Sequence, residues 1–158
     1  MHMPYIFKVF GGAAKIIPIM VGITKQKALE EYGQILAPYF DQDDSVFIIS
    51  SDFCHWGDHF DYQPMDKNMP IWQFIEKLDR TGMNLIEKND IQGFNDYIKN
   101  TGNIICGEYP IKVLMNTIKN SKKDLKTQFV KYDQSGKVTE PNDSSVSYAS
   151  SLTFIGEA

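Results

Sequence analysis

The sequence contains only two cysteines, Cys54 and Cys106, and three histidines among its 158 residues. Two cysteines far apart in the chain are too few for the disulfide framework of a small secreted domain, so we expect free thiols. Free thiols persist in a reducing compartment, which predicts a cytoplasmic protein. Because thiols and imidazoles are scarce here, a stretch where they occur together is a candidate for chemistry.

Long apolar runs and an excess of positive charge are also lacking. The longest apolar runs, at 16–23 and 45–50, fall far short of the roughly 20 residues that span a bilayer. The net charge is −4, from 20 acidic and 16 basic residues, and only residues 119–126 are locally basic. The sequence therefore predicts neither a membrane span nor nucleic-acid binding.

The common signatures of cofactor and metal binding are absent as well. No CxxC, HExxH, Walker or GxGxxG motif is present, so no standard zinc, phosphate or dinucleotide site is indicated. A length of 158 residues, 42% of them hydrophobic, is typical of one compact domain. No internal repeat or linker divides the chain, and we expect a single domain over residues 1–158.

The hydrophobic pattern predicts an α/β fold. The apolar runs at 16–23 and 45–50 are typical of buried strands, whereas 125–133 and 146–155 alternate as half-buried strands do. Apolar residues at spacings of three and four predict four helices. These cover residues 25–40, residues 70–88 with a break or kink at Gly82, residues 91–100 after an Asp90 cap, and residues 110–120 from Pro110. We therefore expect a mixed β-sheet flanked by helices in three layers.

An acid, a thiol and an imidazole follow the second apolar run, in the stretch SSDFCHWG at 50–57. Ligand sites in α/β folds gather beyond the carboxyl ends of strands, where this stretch is expected to lie. His55, oriented by Asp52, could serve as a general base or a metal ligand. In the structural alternative, Asp52 caps a turn and Cys54 is a small buried apolar residue. The residues alone leave both interpretations open.

Cys106 precedes Gly107 and a helix that is predicted to begin at Pro110. The unpaired N–H groups and dipole of a helix start favour a thiolate, which is also a metal ligand. The alternative is a packed turn without chemistry. Of the other histidines, His59 lies in a polar loop and His2 stands at the start of the chain, so both are expected to be exposed.

Several stretches, taken together, are more specific than any single residue. They are MHMPY at 1–5, IIPIMVG at 16–22, SSDFCHWG at 50–57, ICG and YPI within 105–111, and DSSVSYAS at 143–150. In order and spacing they resemble the carboxyl-terminal half of the Memo family, which is named for a mediator of cell motility. That family is similar in fold to the class III extradiol dioxygenases. The resemblance implies a mixed sheet between helices, with a metal site in a vestibule at the end of the sheet.

The resemblance also implies roles for individual residues. Cys106 matches the metal-ligating cysteine of the family, and Asp52 and His55 match its vestibule acid and histidine. In the dioxygenase relatives the histidine corresponding to His55 resembles a catalytic base. Iron, copper or zinc would suit such a site, and the thiolate favours copper(I) or zinc. Three further residues are candidates for the same vestibule: Cys54, Glu108 and His2.

The resemblance further implies that part of the family fold is missing here. The amino-terminal half, which this sequence lacks, holds two more metal-ligating histidines in the family. We therefore expect an incomplete fold and an incomplete metal site. Glu108 or His59 could replace a lost ligand, although a metal needs several groups that converge at about 2 Å.

The resemblance leaves three interpretations of this chain open, and it does not decide whether the chain is an enzyme. The first is metal-dependent redox or dioxygenase-like chemistry. The second is a binding module in cell-motility signalling that holds a phosphotyrosine-bearing peptide near the helix after Cys106, with Lys112 offsetting the repulsion from Glu108. The third is an inactive half-domain, whose exposed apolar strands would make it form a homo-oligomer, recruit a partner or aggregate.

Overall fold

The computed structural model of the protein describes residues 2–156. Within that range it has five α-helices, three β-strands and one 3-10 turn, which confirms the α/β class. In chain order these are α1 (Met3–Phe10), α2 (Gln26–Phe40), β1 (His55–Trp56), the 3-10 turn (Asp58–Phe60), α3 (Ile71–Glu87), α4 (Ile91–Thr101), α5 (Glu108–Asn120), β2 (Leu125–Gln134) and β3 (Ser145–Ile155). No helix in residues 2–156 has the length and apolar character needed to cross a membrane.

The three strands form an antiparallel sheet in the order β1–β3–β2. The two late strands, predicted from their alternating pattern, pair from Leu125 opposite Ile155 to Gln134 opposite Ser147. The short strand β1 pairs with the other side of β3 and places His55 opposite Val146. The central strand of this sheet therefore fixes the backbone of the SSDFCHWG stretch.

The helices pack against the sheet and one another. α3 packs on β2 and on α4, while α2 lies along α5. Gly33 permits the close approach of α2 to α5, since a Cβ there would lie 2.5 Å from the Asn116 Cβ. The core contains Trp56, Ile75 and Phe94, all fully buried. It therefore lies beneath β1, between the sheet and helices α3 and α4.

The predicted helices α2 to α5 are present, with two differences in detail. α3 continues through Gly82 without a break. The Tyr97 ring of α4 packs against this glycine, and a Cβ there would lie 2.9 Å from the Tyr97 Cε1. α5 begins at Glu108, so Pro110 lies within its first turn, where its missing N–H costs no hydrogen bond. The Asp90 cap is confirmed, and α1 was not predicted.

The two early apolar segments differ from the prediction, because neither forms a strand. A strand needs a neighbour for its backbone hydrogen bonds, and within residues 2–156 no such bonds pair 16–23 or 46–50 with another strand. Several of their side chains are exposed, including Ile17 at 84%, Met20 at 99% and Val46 at 69%, whereas Ile49 is half-buried against the core. The sheet of the described residues is consequently antiparallel rather than mixed.

Candidate metal site

The imidazole of His55 is held in one orientation. Its Nδ1 lies 3.0 Å from the Phe53 carbonyl oxygen and 3.2 Å from that of Ile104. Carbonyl oxygens only accept hydrogen bonds, so we assign the proton to Nδ1 and a free electron pair to Nε2. The side chain is 12% exposed. Nε2 is therefore unprotonated and can either bind a metal or accept a proton.

Asp52 and Cys106 both face this nitrogen. The Asp52 Oδ2 lies 3.7 Å from the His55 Nε2, and the Cys106 Sγ lies 3.5 Å from it. The three donor atoms all lie within 4.8 Å of one another. Asp52 comes just before β1, and Cys106 lies in the turn before α5. The fold thus brings together the two stretches that the sequence singled out.

The spacing of the His55 and Cys106 donor atoms fits a small transition-metal ion. Ligands bound tetrahedrally at about 2.0 Å for nitrogen and 2.3 Å for sulfur lie about 3.5 Å apart. The separation of 3.5 Å between His55 and Cys106 is close to that value. A mixed set of carboxylate, imidazole and thiolate suits zinc, copper and iron, and does not single out one of them.

The local electrostatics keep the Cys106 thiol protonated in the metal-free protein. Partial burial raises the pKa of Cys106, and the negative charge of Asp52 raises it further. This differs from the expected thiolate, because Cys106 precedes α5 by two residues and lies beside a carboxylate. A metal ion bound here would have to displace the thiol proton.

The structure places the other sequence-based candidates away from this cluster. Cys54 is fully buried in the core, and burial raises the pKa of its thiol, as expected if it acts as a small apolar residue. Glu108 forms an ion pair with Lys112 one turn along α5. His2 and His59 are exposed. Among residues 2–156, none of these side chains joins Asp52, His55 and Cys106.

Two residues that the sequence did not reveal join the two halves of the cluster. The Ser51 Oγ accepts a hydrogen bond from the Gly107 N–H at 2.9 Å and donates one to the Asp52 carbonyl oxygen at 2.7 Å. A Cβ on Gly107 would lie 2.3 Å from the Ser51 Cβ, so only glycine permits this approach. Serine and glycine are common in turns, and nothing local linked these two residues to each other.

Comparison with known proteins shows which family this chain resembles. The family model described as "Memo-like protein" matches residues 1–152. The "Protein memo-1 homolog" of Caenorhabditis elegans is 39% identical over 162 residues, which cover 98% of this chain and 46% of that protein. The proteins named "Protein MEMO1" of Danio rerio and Homo sapiens are 39% and 38% identical, again over 98% of this chain and 54% of their own length.

The chain thus spans about half the length of the curated relatives it matches. The match nevertheless runs over nearly all of this sequence and includes both stretches that carry Asp52, His55 and Cys106. From this coverage and identity, the chain belongs to the Memo-like protein family.

Proposed function

We propose that Asp52, His55 and Cys106 bind one transition-metal ion, in a protein that acts in cell-motility signalling as the family name implies. The observation that supports this proposal is that three different donor types lie within 4.8 Å of one another. Burial and the Asp52 carboxylate raise the pKa of the Cys106 thiol in the metal-free protein. A bound cation would lower that pKa and favour the thiolate as a ligand.

Each side chain has a separate part in the proposed site. The two carbonyl contacts at Nδ1 orient His55 and leave its Nε2 as a ligand, or as a base for a substrate proton. Asp52 supplies negative charge, and the exposed Cys106 makes the site reachable from solvent. Three protein donors leave a position of a four-coordinate ion for solvent or substrate.

A bound metal would supply Lewis acidity or a redox centre. Because this chain spans only about half of its relatives, metal-dependent redox or dioxygenase-like activity is our proposal for a complete family member.

Elemental analysis after purification under reducing conditions tests the metal site. We expect about one ion per chain after loading with zinc, copper(I) or iron(II). His55→Ala and Cys106→Ala should each lose most of that metal because each removes one donor, and Asp52→Asn should lose most of it because it removes the negative charge of one donor.

Matched variants control for general effects of removing an acid, an imidazole or a thiol. Asp58→Asn, His59→Ala and Cys54→Ala change the same residue types nearby but outside the cluster, and should retain the metal. Absence of metal from the wild type, or equal loss in the matched variants, would refute the proposal.

Phosphotyrosine-peptide binding stays a prediction, and one contact opposes it. Lys112, the cation expected to receive the phosphate, is already ion-paired with Glu108. Titration of a phosphorylated peptide against its unphosphorylated twin tests this binding, and equal or absent affinity would remove it. Glu108→Gln frees Lys112 and should strengthen any phosphate-dependent binding.

Association with another polypeptide chain is a second candidate function, favoured by the exposed apolar segments 16–23 and 46–50. Both carry unpaired backbone groups and exposed side chains such as Ile17 and Val46. Such surfaces promote pairing with other chains. Light scattering on the purified chain should therefore show a dimer or larger species, and a folded monomer at all concentrations would contradict this.

A further inference from the structure

A buried carboxyl group lies directly behind the proposed metal site, outside the ligand cluster. Asp79, in the middle of α3, is 0% exposed. The ion pairs found within residues 2–156 do not include it. Burying a carboxyl group is unfavourable unless hydrogen bonds compensate for the lost water. The contacts that compensate for the burial of Asp79 therefore indicate its role.

The two oxygens of Asp79 contact different parts of the fold. Oδ1 accepts the Cys54 backbone N–H at 3.1 Å and the Asn103 side-chain amide, through Nδ2, at 3.1 Å. Oδ2 accepts the Tyr132 hydroxyl of β2 at 2.9 Å. One oxygen thus faces the stretches that carry the metal-ligand candidates, whereas the other faces the sheet.

Oδ1 joins the two segments from which the site is built. Cys54 directly precedes His55, and Asn103 lies three residues before Cys106. Ile104 follows Asn103 directly, and its carbonyl oxygen accepts the hydrogen bond from the His55 Nδ1. A shift of either segment relative to Asp79 would therefore change both the imidazole orientation and its distance from the thiol.

The surroundings of Asp79 favour a rigid connection. Asn103 is 3% exposed, and its amide also donates to the Tyr97 hydroxyl at 2.7 Å, which in turn donates to the Leu78 carbonyl oxygen at 3.0 Å. Burial raises the pKa of Asp79, and the hydrogen bonds from its neighbours oppose that rise. The hydrogen bonds of this buried network restrict the motion of the groups that form them, while the Asn103 Oδ1 has no hydrogen-bond partner within residues 2–156.

We propose that Asp79 is a positioning residue, whose Oδ1 holds the segments carrying His55 and Cys106 at the separation that metal binding requires. This rests on the metal site proposed above. Residues that orient metal ligands typically change metal affinity by 10- to 100-fold when they are mutated. The alternative is that Asp79 only stabilises the core.

A matched pair of variants separates these roles. Asn103→Ala and Tyr132→Phe each remove one hydrogen bond to the same carboxyl group, on Oδ1 and Oδ2 respectively. With cobalt(II) as a spectroscopic probe, we expect about tenfold weaker binding in Asn103→Ala and Asp79→Asn. Tyr132→Phe should stay within about twofold of the wild type, because it leaves the Oδ1 contacts in place.

A second measurement needs no metal. Cys106 is exposed and Cys54 is buried, so the alkylation rate of the metal-free chain by iodoacetamide reports on Cys106. Asn103→Ala and Asp79→Asn should react severalfold faster than the wild type, because the segment before α5 is released. Tyr132→Phe should react at the wild-type rate. Thermal unfolding of each variant checks that it is folded, and the matched pair decides the question if Asp79→Asn does not fold.

The outcomes distinguish this proposal from the proposed function. A wild type that binds no cobalt refutes the metal site, and the alkylation rates then decide whether Asp79 positions the segments. Cobalt binding that is equal in the wild type and all three variants overturns the positioning role while leaving the metal site intact. Equal losses in Asn103→Ala and Tyr132→Phe also overturn it, because they indicate a general effect on the core.

Discussion

Replacing Gly107 with alanine tests whether close approach of two chain segments builds the site. The added Cβ would lie 2.3 Å from the Ser51 Cβ and 2.7 Å from the Ser50 carbonyl oxygen. Contacts this short cannot persist, so residues 50–52 and the start of α5 must move apart. The φ of Gly107 is −95°, which alanine adopts without strain. The effect should therefore come from this contact alone.

The size of the effect follows from two contributions. Overpacking of a close contact costs about 1–3 kcal/mol, and loss of the hydrogen bond from the Gly107 N–H to the Ser51 Oγ adds about 1 kcal/mol. The free energy of unfolding should thus fall by about 2–4 kcal/mol. With a urea m-value of about 2 kcal/mol/M, the midpoint of unfolding falls by about 1–2 M. Because the displaced segments carry Asp52 and Cys106, metal affinity should fall as well.

Urea unfolding followed by tryptophan fluorescence, from the buried Trp56 and the half-buried Trp72, measures this change. Gly136→Ala is the matched control, since nothing lies within 4 Å of a Cβ at that position, and it should change the free energy of unfolding by less than about 0.5 kcal/mol. Combining Ser51→Gly with Gly107→Ala removes the Ser51 side chain and should recover part of the loss. A Gly107→Ala midpoint equal to that of Gly136→Ala would show that the two segments are not in contact.

The remaining predictions concern one helix cap, one helix contact and one titration. Asp90→Ala should lower the free energy of unfolding by about 1 kcal/mol, because its carboxylate accepts the Gly93 N–H at 2.8 Å; an unchanged urea midpoint would contradict this. Gly33→Ala should cost about 1–3 kcal/mol by forcing α2 away from Asn116, and a wild-type melting temperature would rule that out. The pKa of Asp79 is raised by burial above its ordinary value of 3.8, so its contribution to stability is present below that value and is lost as the pH rises through the folded-state pKa. Melting temperatures measured against pH should therefore fall less steeply in Asp79→Asn, and identical slopes would be inconsistent with the raised pKa.

Much of the fold follows from local patterns. Helices α2 to α5 have apolar residues at spacings of three and four, and β2 and β3 alternate, so their existence could be predicted without knowing what they contact. The same holds for the Asp90 cap, which depends on residues within a single turn. Boundaries were less accurate, as at α5, because the first turn accepts Pro110 at more than one position.

The early apolar segments show where local pattern fails. The runs at 16–23 and 45–50 have the composition of buried strands, and their prediction as strands assumed neighbours that would pair with them. Burial and pairing are long-range properties, and within residues 2–156 no strand lies beside either segment. Composition alone could not show that these segments have no strand to pair with.

The candidate site also has residues that could be predicted from the sequence and one that could not. Asp52, His55 and Cys106 could be found because they are rare or reactive residues in two conspicuous short stretches, and the structure brings them together. Asp79 was missed because its contacts with Cys54 and Asn103 span 25 and 24 positions of sequence.

The sequence nevertheless contains a sign of Asp79's position. This residue follows Leu78 and lies four positions after Ile75, on the predicted apolar face of α3. An acidic residue on that face must either reach water or find several hydrogen-bond donors. Asp79 is not exposed to solvent, and the hydrogen-bond donors to its Oδ1 lie on the segments that lead to His55 and Cys106. A charged residue on the apolar side of a predicted helix can thus point to the support of a site whose ligands lie elsewhere in the chain.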